Sequence, residues 1–312
     1  MYVSDQKVAR NIPIFALLVG PWLGVSQGIW GWVLDIALLF AVFEVGRVRG
    51  FRWTTLLLTL GYGIAVITAG GLINFENIGF LPWVGLLSVW GREHSWSQKS
   101  NLFWCLVLSG IIGVFSIIPV IQQGFVGSEA IQKLVNTMLD QYRQTGLLAS
   151  LNQQGISETE IQASLQQTFQ LLFLFVPGFA ALGSIIEYSL ARYLFTRWFT
   201  PKVKRLPISS FFRLPWYALW GVNLGIASYL IGDQWSWTIL RIFGMNLMFI
   251  YAVIAFGIGC SIFLYNLRSP LLSGFIKAVL ILMSFLYFQV TIISLILLGL
   301  FDLVLNFRRL PE

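Results

Sequence analysis

Four polar residues inside long apolar runs are the side chains best placed to do chemistry in this sequence. Asp35 and Glu187 carry carboxylates, and Asn223 and Asn246 carry carboxamides. Polar groups are costly within a membrane, where they usually face the interior of a helix bundle and mark the path of a solute or an ion. These four residues are therefore predicted to contribute to a substrate-binding site.

Each of the four also has a structural interpretation, which the sequence leaves open. Asp35 lies about one turn inside its run, where the nearby interface lowers the free-energy cost of a charge. Glu187 lies five residues before Arg192, about 7 Å from the charged end of its run, so it could reach water or pair with a basic side chain. An asparagine in a spanning helix often joins two helices by a hydrogen bond worth roughly 1 kcal/mol.

Catalysis and metal binding have little support in this sequence. His94 is the single histidine, and Cys105 and Cys260 lie inside apolar runs without a CxxC spacing. A metal site requires several such ligands, and a catalytic site requires a nucleophile with a base or a clustered metal. No run fits GxxxxGK[ST], so ATP hydrolysis would need a separate protein. We therefore expect no enzyme activity, no metal and no cofactor.

The composition is that of a membrane protein. The 312 residues are 57% hydrophobic and 11% charged, with a mean hydropathy of +0.78. A soluble domain carries roughly 25% charged residues, so water is not the main solvent of this chain. The first apolar run follows Lys7 and Arg10 without a small-residue cleavage site, which favours an uncleaved first helix.

The stretch 192–213 holds six basic residues and no acid. Short cytoplasmic loops collect Lys and Arg, so this stretch is predicted to be a cytoplasmic loop that contacts lipid headgroups or a partner protein. Such loops account for the net charge of +7 better than nucleic-acid binding does. The residues of this predicted contact are Arg197, Lys202, Lys204, Arg205 and Arg213.

The apolar runs predict an all-α, polytopic transmembrane bundle of ten spans, or nine if the last run crosses once. That run, 272–304, has 33 residues and would be about 50 Å long as one helix, against a hydrocarbon core of about 30 Å. A break near Gln289 gives two spans and places Arg308 and Arg309 on the same side as Lys7 and Arg10. The whole chain, 1–312, is predicted to be one integral membrane domain of the bacterial inner membrane with a cytoplasmic N-terminus.

Residues 122–168 are predicted to form a helical insertion on the non-cytoplasmic side. Apolar residues recur at helical spacing from Ile131 to Tyr142, which indicates an amphipathic helix. Ser157 and Glu160 form a capping box that starts a second helix, which continues until Pro177 bends it. The pair is either a lid over the bundle or a hairpin lying on the membrane interface.

Several motifs give the chain a family resemblance. They are Gly91-Arg-Glu-His-Ser-Trp-Ser, Arg192-Tyr193-Leu194, Leu206 to Pro215, and a closing motif that contains Gly299, Asp302, Arg308 and Arg309. With these the chain resembles the YybS-like family of bacterial multi-pass membrane proteins, over most of its length after the first 50 residues. That family is more distantly similar to the S subunits of energy-coupling factor transporters and to MreD-like cell-shape proteins.

The resemblance implies a helical membrane module and carries no active site with it. Two functions follow as hypotheses. The first is a solute-binding or transport component without its own ATPase, working with a separate ATPase and a coupling subunit. The second is a membrane scaffold for an envelope assembly complex, in which the basic loop and the glycine ridge Gly20, Gly24 and Gly28 serve partners.

Overall fold

The computed structural model describes residues 3–24, 31–68, 79–118, 128–199, 214–268, 272–305 and 307. In these ranges the chain forms helices and no strand, which confirms the all-α class. A short 3-10 helix spans Trp216–Ala218. The α-helices are α1 (Val3–Gly24), α2 (Gly31–Val48), α3 (Gly50–Thr68), α4 (Pro82–Glu93), α5 (Gln98–Ser116), α6 (Ser128–Gln144), α7 (Leu147–Gln153), α8 (Glu158–Leu174), α9 (Val176–Phe199), α10 (Leu219–Gln234), α11 (Thr238–Arg268), α12 (Gly274–Leu286) and α13 (Phe288–Leu305).

Helices α1 to α4 pack around one apolar core, in which Val42 of α2 and Leu58 of α3 are fully buried. Gly20 of α1 lies against Leu38, and Gly61 of α3 lies against the backbone of Leu17. Small residues at these points let the helices approach closely. In lipid such close packing is a main source of helix association. At Gly20 the predicted glycine ridge is thus a packing surface, and Gly28 lies outside the described residues.

Helix α9 connects the parts of the bundle, because it packs on α2, α5 and α11. Tyr188 on α9 is fully buried in a core shared with Phe43 of α2, Cys105 of α5 and Ile258 of α11. Side chains on α9 are therefore positioned by several neighbouring helices at once.

Helices α10, α11 and α13 form the other part of the bundle. Gly259 of α11 lies against the carbonyl of Leu295, and Gly299 of α13 lies against the carbonyl of Ala255. A side chain on either glycine would collide with the backbone of the facing helix. The two contacts run in opposite directions along the chain, so α11 and α13 are antiparallel.

Four of the described helices are long and apolar enough to cross a membrane, namely α3, α5, α11 and α13. Helices α8 and α9 pass the same test as a pair with a 50° bend, which allows a fifth crossing. Ten spans are not confirmed. Helix α2 is too highly charged to count as a span, since it carries Asp35, Glu44 and Arg47, and α4 is too short, with 12 residues.

The break in the last apolar run lies at Tyr287, two residues before the predicted position. Because α13 is antiparallel to α11, it begins beside the C-terminal end of α11, and Leu305 reaches the level of Phe249. Helix α12 therefore ends beside the C-terminal end of α11, and its 13 residues are fewer than a spanning helix needs, so two opposed crossings are not confirmed. The even number of spans that put Arg308 and Arg309 on the same side of the membrane as Lys7 and Arg10 therefore loses its support. Both Arg308 and Arg309 lie outside the described residues.

The insertion contains three helices, α6 to α8, around a small apolar core that includes Val135, Leu148 and Ile161. The capping box is present, since the Ser157 hydroxyl accepts from the Glu160 backbone and the Glu160 carboxylate accepts from the Ser157 backbone. Helix α7 is an element that the sequence pattern did not indicate. Ion pairs with Glu158 and Asp140 raise the pKa of Arg143, and the pair with Glu158 joins α6 to α8.

The basic stretch begins on a helix rather than in a loop. Helix α9 continues to Phe199, so Arg192 and Arg197 are helical. Both lie at the end of the bundle where α2 and α4 finish with Arg47 and Arg92 and where α3 and α5 begin, which we call the basic end.

Candidate solute-binding site

Asp35 and Glu187, two of the four predicted site residues, come together. They lie on α2 and α9, which pack against each other. Both residues are half-buried, and they are close enough for their charges to interact. Two carboxylates whose charges interact repel when both are ionised, so the pair favours protonation of one of them or a bound cation.

Asp35 also lies against the backbone of Gly79. A Cβ atom on residue 79 would be 2.7 Å from both carboxylate oxygens of Asp35, closer than nonbonded atoms approach. The buried Tyr62 of α3 donates a hydrogen bond from its hydroxyl to the Gly79 carbonyl. Glycine at position 79 thus makes room for the carboxylate, and Tyr62 holds that backbone in place.

An aromatic cluster adjoins Asp35. The ring of Tyr62 stacks on Phe80 at 6.1 Å and meets Trp83 edge-on at 5.4 Å between centroids. The indole nitrogen of Trp83 is buried and has no hydrogen-bond partner in the part of the chain that the structure describes. Aromatic faces attract cations, and a buried unpaired donor suits an acceptor on a bound molecule. The surroundings therefore suit a small molecule with a positive charge.

Asn246 has a structural role at the bend between α8 and α9. In a continuous helix the Gly178 N–H would donate to the Leu174 carbonyl. Here the Asn246 side chain stands between them: its Oδ1 accepts from Gly178 N at 2.6 Å, and its Nδ2 donates to Leu174 O at 2.8 Å. Asn246 thereby replaces the hydrogen bond that the bend interrupts.

Asn223, like Asn246, lies away from Asp35 and Glu187. It lies exposed on α10, one turn into a helix that packs on α11. The predicted set of four is thus reduced to Asp35 and Glu187.

The closing motif is described only in part. Gly299 makes the close contact with Ala255, and Asp302, one turn later on α13, is buried. Their helix packs mainly on α11 and contacts the 3-10 helix at Trp216. These residues support the packing of α13.

Of the basic residues predicted to contact lipid headgroups or a partner protein, Arg197 lies in the described part of the chain. It is exposed and donates a hydrogen bond to the Tyr193 hydroxyl at 2.9 Å. Lys202, Lys204, Arg205 and Arg213 lie outside the described residues. Across the described ranges no three His, Cys, Asp or Glu side chains cluster as metal ligands would.

Residues 37–303 match the model of a family described as "predicted membrane protein (DUF2232)". The chain belongs to this family. No curated protein and no solved structure matches the chain. DUF2232 membership and the apolar helices together identify an integral membrane protein.

Tyr62, Gly79 and Trp83 are site residues that the sequence reasoning missed. Each is an ordinary residue of a membrane helix or of a turn, and no spacing in the chain connects them to Asp35. Their role follows from the packing of α2, α3 and α4, which the sequence does not display.

Proposed function

We propose that this protein binds a small cationic or amine-bearing solute at Asp35 and Glu187 and acts as a component of membrane transport. The observation that carries the proposal is the pair of half-buried carboxylates on the packed helices α2 and α9, whose charges interact. The aromatic cluster of Tyr62, Phe80 and Trp83 beside Asp35 supports a positively charged occupant.

The chain has no nucleotide-binding motif of its own, so active uptake would rely on a separate ATPase and a coupling subunit. We place the protein in the bacterial inner membrane with the N-terminus and the basic end in the cytoplasm, because short cytoplasmic segments collect Arg and Lys. The protein binds its solute without altering it chemically.

The test is a binding experiment on the purified full-length protein. Its thermal unfolding would be followed with a panel of inorganic cations, primary amines and quaternary ammonium compounds. A cation that binds the folded state raises the unfolding temperature. We expect Asp35→Asn and Glu187→Gln each to weaken the response about tenfold or more, since each removes a charge-assisted contact.

Glu44→Gln is the matched control. Glu44 is an acid on the same helix as Asp35, but it is bonded to Arg47 at 2.6 and 2.9 Å and lies toward the basic end. It should leave the cation response unchanged. An unchanged response in Asp35→Asn and in Glu187→Gln would remove the proposed site.

A scaffold for an envelope assembly complex is the second candidate function. It is favoured by the exposed end of α9, where Trp198 is 69% exposed beside Arg197 and is followed by Lys202, Lys204 and Arg205. Neutralising these three residues should then release a partner that copurifies from mild detergent. Undiminished recovery of that partner would argue against this function.

A further inference from the structure

A second polar constellation lies toward the basic end, where three helices each contribute two residues four positions apart. Residues at this spacing share one face of a helix. The three faces meet because α4 packs on α5 and α5 packs on α9. We call this the three-helix polar site, formed by Ser88 and Arg92 of α4, Asn101 and Cys105 of α5, and Tyr188 and Arg192 of α9.

The inner part of this site is an incompletely bonded network. The Asn101 amide donates to the Ser88 carbonyl at 3.0 Å, and the Cys105 thiol donates to the Asn101 oxygen at 3.3 Å. Tyr188 is fully buried, and its hydroxyl lies near Cys105 and Ser88. That hydroxyl nevertheless makes no contact of hydrogen-bond geometry within the described ranges. Because the hydroxyl lies beside Cys105 and Ser88 without a bond of good geometry, it can donate to a group bound here.

The outer part of the site carries two arginines. Arg192 of α9 is near enough to Arg92 of α4 and to Tyr188 for its charge to act on both. Its Nη1 atom is buried and lacks a hydrogen-bond partner among the described residues. Arg92 is exposed, so the site opens toward the basic end.

The acids at this end are already engaged. Glu93 accepts a hydrogen bond from the Phe51 backbone at 2.5 Å, and Glu44 is paired with Arg47. None of the ion pairs within the described ranges includes Arg92 or Arg192. Two neighbouring guanidinium groups repel each other, and a partly buried one is costly without a counter-ion.

We propose that Arg92 and Arg192 bind a phosphate group at the basic end, with the Tyr188 hydroxyl as a further donor. Guanidinium groups match the geometry of phosphate oxygens and form paired, charge-assisted hydrogen bonds with them. The phosphate belongs either to an anionic phospholipid headgroup or to a soluble phosphate ion. This site stands independently of the cation site, because Glu187 directly precedes Tyr188 and so faces a different side of α9.

The experiment uses the full-length protein, delipidated in a neutral maltoside detergent. Its unfolding temperature would be measured against sodium phosphate, with sodium chloride at equal ionic strength as the reference, and against phosphatidylglycerol added to the micelles. A rise with inorganic phosphate assigns the site to a free phosphate. A rise with phosphatidylglycerol alone assigns it to a lipid headgroup. No rise with either probe overturns the proposal.

Variants then locate the effect. We expect Arg92→Gln and Arg192→Gln each to weaken the response about tenfold to hundredfold, and Tyr188→Phe to weaken it about fivefold. Arg47→Gln is the control, because Arg47 lies at the same end but is paired with Glu44. If Arg192→Gln does not fold, Arg192→Lys keeps the charge and should still lose most of the response. An equal loss in the Arg47 control, or none in the other variants, overturns the proposal.

Discussion

Asn246 shows how one polar side chain can hold a bent membrane helix. It is 6% exposed, and its amide bridges the Gly178 N–H and the Leu174 carbonyl across the bend. Pro177 has no N–H and so cannot continue the helical ladder at this point. In apolar surroundings the freed backbone groups need partners, and Asn246 supplies them.

At this residue we expect Asn246→Ala to lower the free energy of unfolding by about 1–3 kcal/mol, because it leaves a backbone donor and an acceptor unpaired in the interior. Thermal unfolding in detergent would measure the loss. Asn223→Ala is the control, since Asn223 is exposed on α10 and should change stability little. Equal stability of the two variants would contradict the bridging role.

Helices α11 and α13 illustrate association through small residues. Gly259 and Gly299 each face a carbonyl of the other helix. Gly257 lies close by on α11 but points elsewhere, since a Cβ atom added to it would meet no other atom of the described residues within 4 Å. Without a hydrophobic driving force between helices in lipid, close backbone approach is a main source of their association.

For this pair of helices we expect Gly259→Leu and Gly299→Leu to force α11 and α13 apart and to cost about 1–3 kcal/mol of stability. The control is Gly257→Leu, which adds the same side chain to α11 on an open face. Differential scanning fluorimetry of the three variants would compare them. A similar loss in the Gly257 variant would show that the effect belongs to lipid or detergent exposure rather than to the contact.

The packing of the whole molecule predicts that the insertion and Phe307 lie on one side of the membrane and Gln98 on the other. Helices α5 and α9 place the insertion at the end of the bundle opposite Gln98. The antiparallel contact of α11 and α13 places Phe307 at that same opposite end.

Single-cysteine labelling tests this arrangement. In a background with Cys105 and Cys260 replaced by alanine, we expect a membrane-impermeant maleimide to label Ser150→Cys and Phe307→Cys from one side. Gln98→Cys should react from the other side. Ten crossings would instead put Phe307 and Gln98 on the same side, so that outcome would contradict the packing of α13.

Much of the fold could be predicted from the sequence because it depends on local chemistry. The all-α class follows from long apolar runs in a chain with few charges, since only helices satisfy their own backbone groups in lipid. The capping box at Ser157 and the bend near Pro177 are likewise local, and the structure contains both. The break in the last run was expected within two residues of Tyr287.

The number of crossings and the partners of the polar residues depended on tertiary structure. Asp35, Glu187, Asn223 and Asn246 look alike in the sequence, as polar residues within apolar runs. Only packing brings the first two together, leaves Asn223 exposed and uses Asn246 at a bend.

The helical class, the membrane location and the positions of the basic residues could thus be predicted from the sequence, because they depend on composition and on neighbours along the chain. Which polar groups meet depends on the packing of the helices. Contacts such as Asp35 with Gly79, or Tyr188 with Cys105, join residues on different elements. Their existence depends on which helices pack together and in what direction, and no spacing within one helix contains that information.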